Sequence, residues 1–131
     1  MNILLSWTTS IEGTSSGGSK YVQSWAEISP ILVALKDRAG TVGLDLIDAP
    51  DPGPVSMHVA AANKNYLVTL LETTEDDSNV RSYNNTYATA EMVDILGDFW
   101  DARYLTQDFD LVLKLFKELC ETGDVSRQWL S

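Results

Sequence analysis

The sequence predicts an α+β fold: a twisted antiparallel sheet of five or six strands, with a helix from the N-terminal half and a long C-terminal helix packed on one face. Three observations lead there. Residues 106–123 place Phe109, Val112, Leu113, Phe116, Leu119 and Cys120 at three- and four-residue steps, with Asp110, Lys114, Lys117 and Glu121 on the other side. Residues 55–83 break into short apolar runs separated by Asn63-Lys64-Asn65 and by Glu75-Asp76-Asp77-Ser78-Asn79, the pattern of a meander. Ser24-Trp25-Ala26-Glu27 fits a capping box ahead of Ile28, Ile31, Leu32 and Leu35. At 131 residues the chain is near the modal domain size, and a single domain over residues 1–131 is expected.

Taken in order, residues 2–9 alternate well enough for a first strand, with Ile3, Leu5 and Trp7 on one face. The Gly/Ser-rich residues 13–19 predict a flexible loop; they lack the Gly-x-x-x-x-Gly-Lys pattern and the following helix of a phosphate cradle. The first helix either starts at Ser24 or, because Pro30 disrupts a helix interior, runs shorter with Ser29 as N-cap and Pro30 at N1. Gly40 ends both versions. A strand over 41–48 is followed by the Pro-rich turn 49–54, then by strands over 55–60 and 66–73, the second nearly all apolar and therefore central. Val80 starts another strand. Residues 94–106 predict a strand and loop leading into the long helix, which Thr106 or Asp108 caps and Gly123 ends. Ser126 caps a last short turn carrying Trp129 and Leu130 back to the body.

Function classes narrow quickly. No apolar run approaches the roughly 18 residues of a membrane span. The opening residues lack a basic n-region and a single Cys120 cannot form an internal disulfide, so a cytoplasmic location is expected. The one histidine, His58, falls on the polar face of a strand with no nucleophile placed beside it, and Cys120 falls on an apolar helix face. No enzyme chemistry, metal site or cofactor is expected from them. Glu75-Asp76-Asp77 lacks the spaced ligands of a calcium loop.

Charge is the informative quantity. Of the net −10, residues 72–110 supply −8: ten acids (Glu72, Glu75, Asp76, Asp77, Glu91, Asp94, Asp98, Asp101, Asp108, Asp110) against Arg81 and Arg103. Such a field repels nucleic acid and lipid head groups and steers basic partners. Within it, Gly97-Asp-Phe-Trp-Asp-Ala-Arg-Tyr104 interleaves aromatics with charges, the composition of interface anchors.

The order strand, helix, meander and terminal helix, ending in Phe116-Lys-Glu-Leu-Cys-Glu-Thr-Gly123 with Trp129 a few residues on, resembles the Imm1-like immunity proteins of bacterial polymorphic-toxin and contact-dependent inhibition systems. Asp124-Val125-Ser126 stands where that family usually has a proline after Thr-Gly. The resemblance implies a cytoplasmic, non-enzymatic antitoxin, often encoded beside its toxin, that masks the active site of a cognate toxin domain. A basic nuclease is the toxin its acidic surface would suit. Partner-binding candidates are Glu72, Glu75, Asp76, Asp77, Tyr83, Tyr87, Asp98, Trp100 and Asp101. A small-ligand-binding module and a nucleic-acid-mimicking inhibitor of a DNA-binding protein are the alternatives.

Overall fold

The computed structural model describes residues 2–131. In chain order the protein forms β1 (Ile3–Ile11), β2 (Thr14–Val22), α1 (Trp25–Val33), β3 (Ala39–Leu46), β4 (Gly53–Ala62), β5 (Asn65–Thr73), β6 (Ser78–Ser82), β7 (Met92–Ile95), β8 (Asp98–Asp101), a 3-10 turn (Ala102–Tyr104), β9 (Leu105–Thr106) and α2 (Phe109–Thr122). The main sheet runs β2-β1-β3-β4-β5-β6 with every pairing antiparallel, and β9 makes a seventh strand beside the start of β5. A separate hairpin joins β7 to β8. The class is therefore α+β, as expected, with one strand more in the sheet.

Alternation in the sequence sets the core. Pairing places Ile3 opposite Leu46, Leu5 opposite Leu44, Leu44 opposite Met57, Met57 opposite Leu70 and Val59 opposite Val68, all on one side of the pleat. These side chains join Ile28, Leu32 and Leu35, and the apolar stripe of α2 from Phe109 to Leu119, in a single buried cluster. On the other side of the pleat, Ser6, Gly43, His58 and Thr69 form one cross-strand row. A second small cluster of Ala62, Leu67, Ile95 and Leu105 lies on that side, where β7 meets the sheet.

Helix signals act where the sequence places them. Ser24 is the N-cap of α1, and the Glu27 carboxylate accepts from the backbone N–H groups of Gln23 at 2.8 Å and Ser24 at 3.2 Å. Of the two starts left open, the one at Ser24 is realised, with Pro30 inside the helix. Proline deletes the N–H that would bond Ala26, and α1 stops three residues later at Val33, well before Gly40. Asp108 caps α2 by accepting from Leu111 N–H at 3.2 Å, and Gly123 takes the left-handed position at φ 82°. No helix among the described residues is long and apolar enough to cross a membrane.

Two stretches depart from expectation. Residues 14–19 of the stretch 13–19, expected as a flexible loop, belong to the nine-residue strand β2. Glu12 and Gly13 form the hairpin turn at φ 51° and 80°, and a Cβ added at Gly18 would lie 2.8 Å from Trp7 Cζ2. Glycine here lets the Trp7 indole lie across the neighbouring strand. The strand and loop expected over residues 94–106 is instead a hairpin that already starts at Met92, β7–β8, turned by Leu96 and Gly97 at φ 55° and 96°.

Candidate functional site

The β7–β8 hairpin has two chemically distinct faces. Its register sets Val93 across from Trp100 and Ile95 across from Asp98 on one face, and Met92 across from Asp101 and Asp94 across from Phe99 on the other. Ile95 is buried and Val93 packs against the Ala62–Leu67–Leu105 cluster, so the first face is turned to the sheet. Met92 and Phe99 are consequently turned outward, 62% and 68% exposed. Trp100, on the inner face, is 37% exposed and forms its rim. The outward face thus presents a methionine and a phenylalanine beside two aspartates.

The charge around that pair is acidic, and of its carboxylates only Asp101 is compensated. Arg103 donates to Asp101, with Nε 3.1 Å from the carboxylate, and is thereby neutralised by its neighbour. Hydrogen bonds from the Arg103 side chain and then its backbone N–H hold the Asp101 carboxyl below its ordinary range. Among the described residues, no ion pair engages Glu91, Asp94 or Asp98. Asp94 accepts from Gly97 N–H at 2.8 Å and so braces the turn. The preceding loop is fastened alongside: Asn85 N–H donates to the Arg103 carbonyl at 2.6 Å and Ala102 N–H to the Glu91 carbonyl at 2.8 Å. That loop carries Tyr87, 97% exposed.

The remaining candidates separate in space. Glu75, Asp76 and Asp77 occupy the exposed turn between β5 and β6, which Thr74 closes by donating its N–H to the Asp77 carbonyl at 2.7 Å. The hairpin packs near Leu67, at the start of β5. Seven residues of strand therefore put this turn roughly 23 Å away, so the two acidic centres are separate patches. Glu72 is not part of either surface. It is 7% exposed, accepting from Arg81, Arg127 and Asn79, each at 3.3 Å. Tyr83 is half-buried against the main core and bridges Leu130. The grouped candidates are thus Tyr87, Asp98, Trp100 and Asp101. Sequence reasoning passed over Met92 and held Phe99 only within the Gly97–Tyr104 tract, not among the partner-binding candidates; reading Leu96-Gly97 as a two-residue turn would have placed both on one face.

The fold and this surface can be set beside known proteins. The family of unknown function DUF6911 matches residues 6–129. The chain belongs to that family. It is also similar to a solved structure, described as a hypothetical protein from Neisseria gonorrhoeae, with a TM-score of 0.80 over 95% of this chain and 90% of that one at 15% identity. At that identity the likeness is one of fold. No curated protein matches the sequence.

Elsewhere on this DUF6911 chain, His58 stands on the open sheet face with Nε2 4.0 Å from Asp45 Oδ1, both side chains about half exposed. Cys120 is half-buried on α2, where burial, and then the charge of Glu121, push its thiol up and make it a poor nucleophile at neutral pH. Among the described residues no group of three or more His, Cys, Asp and Glu side chains is placed to hold a metal. A cleft of about 320 Å³ lies between Leu46, Pro50, Pro54 and Gly123, open to solvent.

Proposed function

We propose that this DUF6911 protein is a non-catalytic inhibitor of the immunity-protein kind, which binds a basic toxin domain and masks its active site in the cytoplasm. The observation that carries the reading is the outward Met92–Phe99 pair beside Asp94 and Asp101, with Asp98 exposed at the neighbouring turn. Covering such a pair removes apolar surface from water, worth about 1.5–3 kcal/mol for a phenylalanine, while the aspartates meet lysines or arginines of a phosphate-attracting cleft. Both helices, packed on the sheet face built from Leu5, Leu44, Met57 and Leu70, leave the hairpin side accessible.

Division of labour follows from distance. Phe99 and Met92, with Tyr87 and Trp100 at the margin, form the desolvated centre. The turn of Glu75, Asp76 and Asp77 adds to the long-range field. Surface-binding kinetics against a basic toxin domain encoded by a neighbouring gene test the reading: retention by the wild type and loss with Phe99→Ser support it. No binding, or binding indifferent to Phe99→Ser, overturns it. Capture of a small ligand or of a DNA-binding protein instead would favour the corresponding alternative.

A further inference from the structure

We propose that two copies of this chain join edge to edge through β2, extending the sheet across a two-fold axis. An open sheet edge is a row of unpaired N–H and C=O groups, which proteins guard with lysines, prolines, bulges or a covering segment. The opposite edge is covered in this way at the end of β6, while Ser78, Asn79 and Val80 stay exposed. Ser131 N–H donates to the Ser82 carbonyl at 3.3 Å and Tyr83 bridges Leu130, so the C-terminal residues lie along β6. Along β2, no strand among the described residues pairs with the free edge. From Thr14 to Ser19 its side chains are threonine, serine and glycine only, all exposed, and it pairs with β1 from Thr14 to Val22 without a register shift.

The hairpin geometry identifies the free groups. A two-residue turn at Glu12-Gly13 makes Ile11 and Thr14 a hydrogen-bonded pair. By alternation, Ser15, Gly17, Ser19 and Tyr21 then turn their N–H and C=O groups away from β1. Antiparallel pairing of two copies centred on Gly18 sets Ser15 opposite Tyr21 and Gly17 opposite Ser19. Each such pair closes two bonds, and the whole strand is used. Lys20 falls opposite Ser16, so no charge meets its like.

Charge favours a second copy over a basic partner as the occupant. Residues 2–24 carry only Glu12 and Lys20 and sum to zero, whereas residues 72–110 carry −8 of the −10. Two copies repel through much of their surface but not through this edge, and a basic partner segment gains nothing from a neutral one. Five strand spacings, roughly 24 Å, separate β2 from β6 in each copy. The two acidic β5–β6 turns therefore end about 48 Å apart in the joined sheet, several times the ~8 Å screening length. A single strand pair buries less than the roughly 1,200 Å² of a standard stable complex, so the dimer is weak and dissociates on dilution. Both β7–β8 hairpins remain free in it.

Sedimentation velocity of the full chain over a dilution series should show the mean mass rising from one chain to two. Ser19→Pro removes an outward N–H where an edge strand tolerates proline, and should move the midpoint about tenfold towards higher concentration. Phe99→Ser should leave the midpoint in place. If Ser19→Pro does not fold, amide exchange on the wild type decides: the Gly17 and Ser19 amides should exchange more slowly as concentration rises. A mass of one chain at every concentration overturns the proposal. A midpoint that responds to Phe99→Ser but not to Ser19→Pro does the same, as do Gly17 and Ser19 amides indifferent to concentration.

Discussion

Arg81 Nη1 lies 2.9 Å from Asp124 Oδ1, and this contact ties the segment after α2 to the last strand of the sheet. The guanidinium is fully buried, and hydrogen bonds engage all three of its nitrogens. Nε donates to the Leu130 carbonyl at 3.1 Å, Nη2 to the Val125 carbonyl, and Nη1 also reaches Glu72 at 3.3 Å. Planar donors in a fixed fork suit this site as an ammonium cannot.

Arg81→Ala strands the Leu130 and Val125 carbonyls and leaves Glu72 to Arg127 and Asn79 alone, so unfolding in urea should show a loss of about 3–5 kcal/mol. Arg81→Lys should recover only part of it. A loss below about 1 kcal/mol would mean that the C-terminal segment is held by packing alone.

The same site sets a pH dependence. Burial pushes the Glu72 carboxyl up, but hydrogen bonds from Asn79 and Arg127 and the charges of Arg127 and Arg81 outweigh it, so its pKa lies below the ordinary 4.5. A carboxylate depressed in the folded state stabilises fully above the unfolded value and loses that contribution as pH falls through the folded one. The urea midpoint should therefore drop below about pH 4.5 in the wild type, and less steeply in Glu72→Gln, which cannot titrate. Parallel curves for the two proteins would assign the acid sensitivity to other groups.

What could be read from the sequence was local. The spacing from Phe109 to Leu119, the Asp108 cap, Gly123 and the Ser24–Glu27 box each act within a few residues, and each is realised. The meander over β4, β5 and β6 was legible for the same reason. Strand β2 was not, because Ser-Gly-Gly-Ser becomes strand only through its partner: Trp7 covers Gly18, and nothing near residue 18 announces it. Glu72 looked like surface because Arg81 is nine residues away and Arg127 fifty-five. At the candidate site a single step of register separates Phe99 from Trp100 and sends one outward and the other towards the sheet.

The Trp7–Gly18 contact can be tested directly. Gly18→Val places a branched side chain where the indole lies, and overpacking of this kind costs about 1–3 kcal/mol. Pairing it with Trp7→Ala should restore part of the loss, since the smaller side chain vacates the space. Additive losses in thermal melts of the double variant would show that the two residues do not compete for it.

The binding surface yields a split between rates. Phe99 faces water and touches little of the core, so Phe99→Ser should change stability by no more than about 0.5 kcal/mol. Trp100 shares the inner face with Val93, so Trp100→Ala should lower the melting temperature. If the outward pair is the anchor, Phe99→Ser should speed dissociation from a basic partner about thirtyfold, the equivalent of about 2 kcal/mol. Neutralising Glu75, Asp76 and Asp77 should do the opposite: the turn stands roughly 23 Å from the hairpin and acts through the field alone, slowing association and flattening its salt dependence. Stopped-flow association and surface dissociation measured on the same variants separate the two. A Phe99→Ser complex that dissociates at the wild-type rate sinks the anchor, and an association rate of the wild type that ignores salt sinks the steering field.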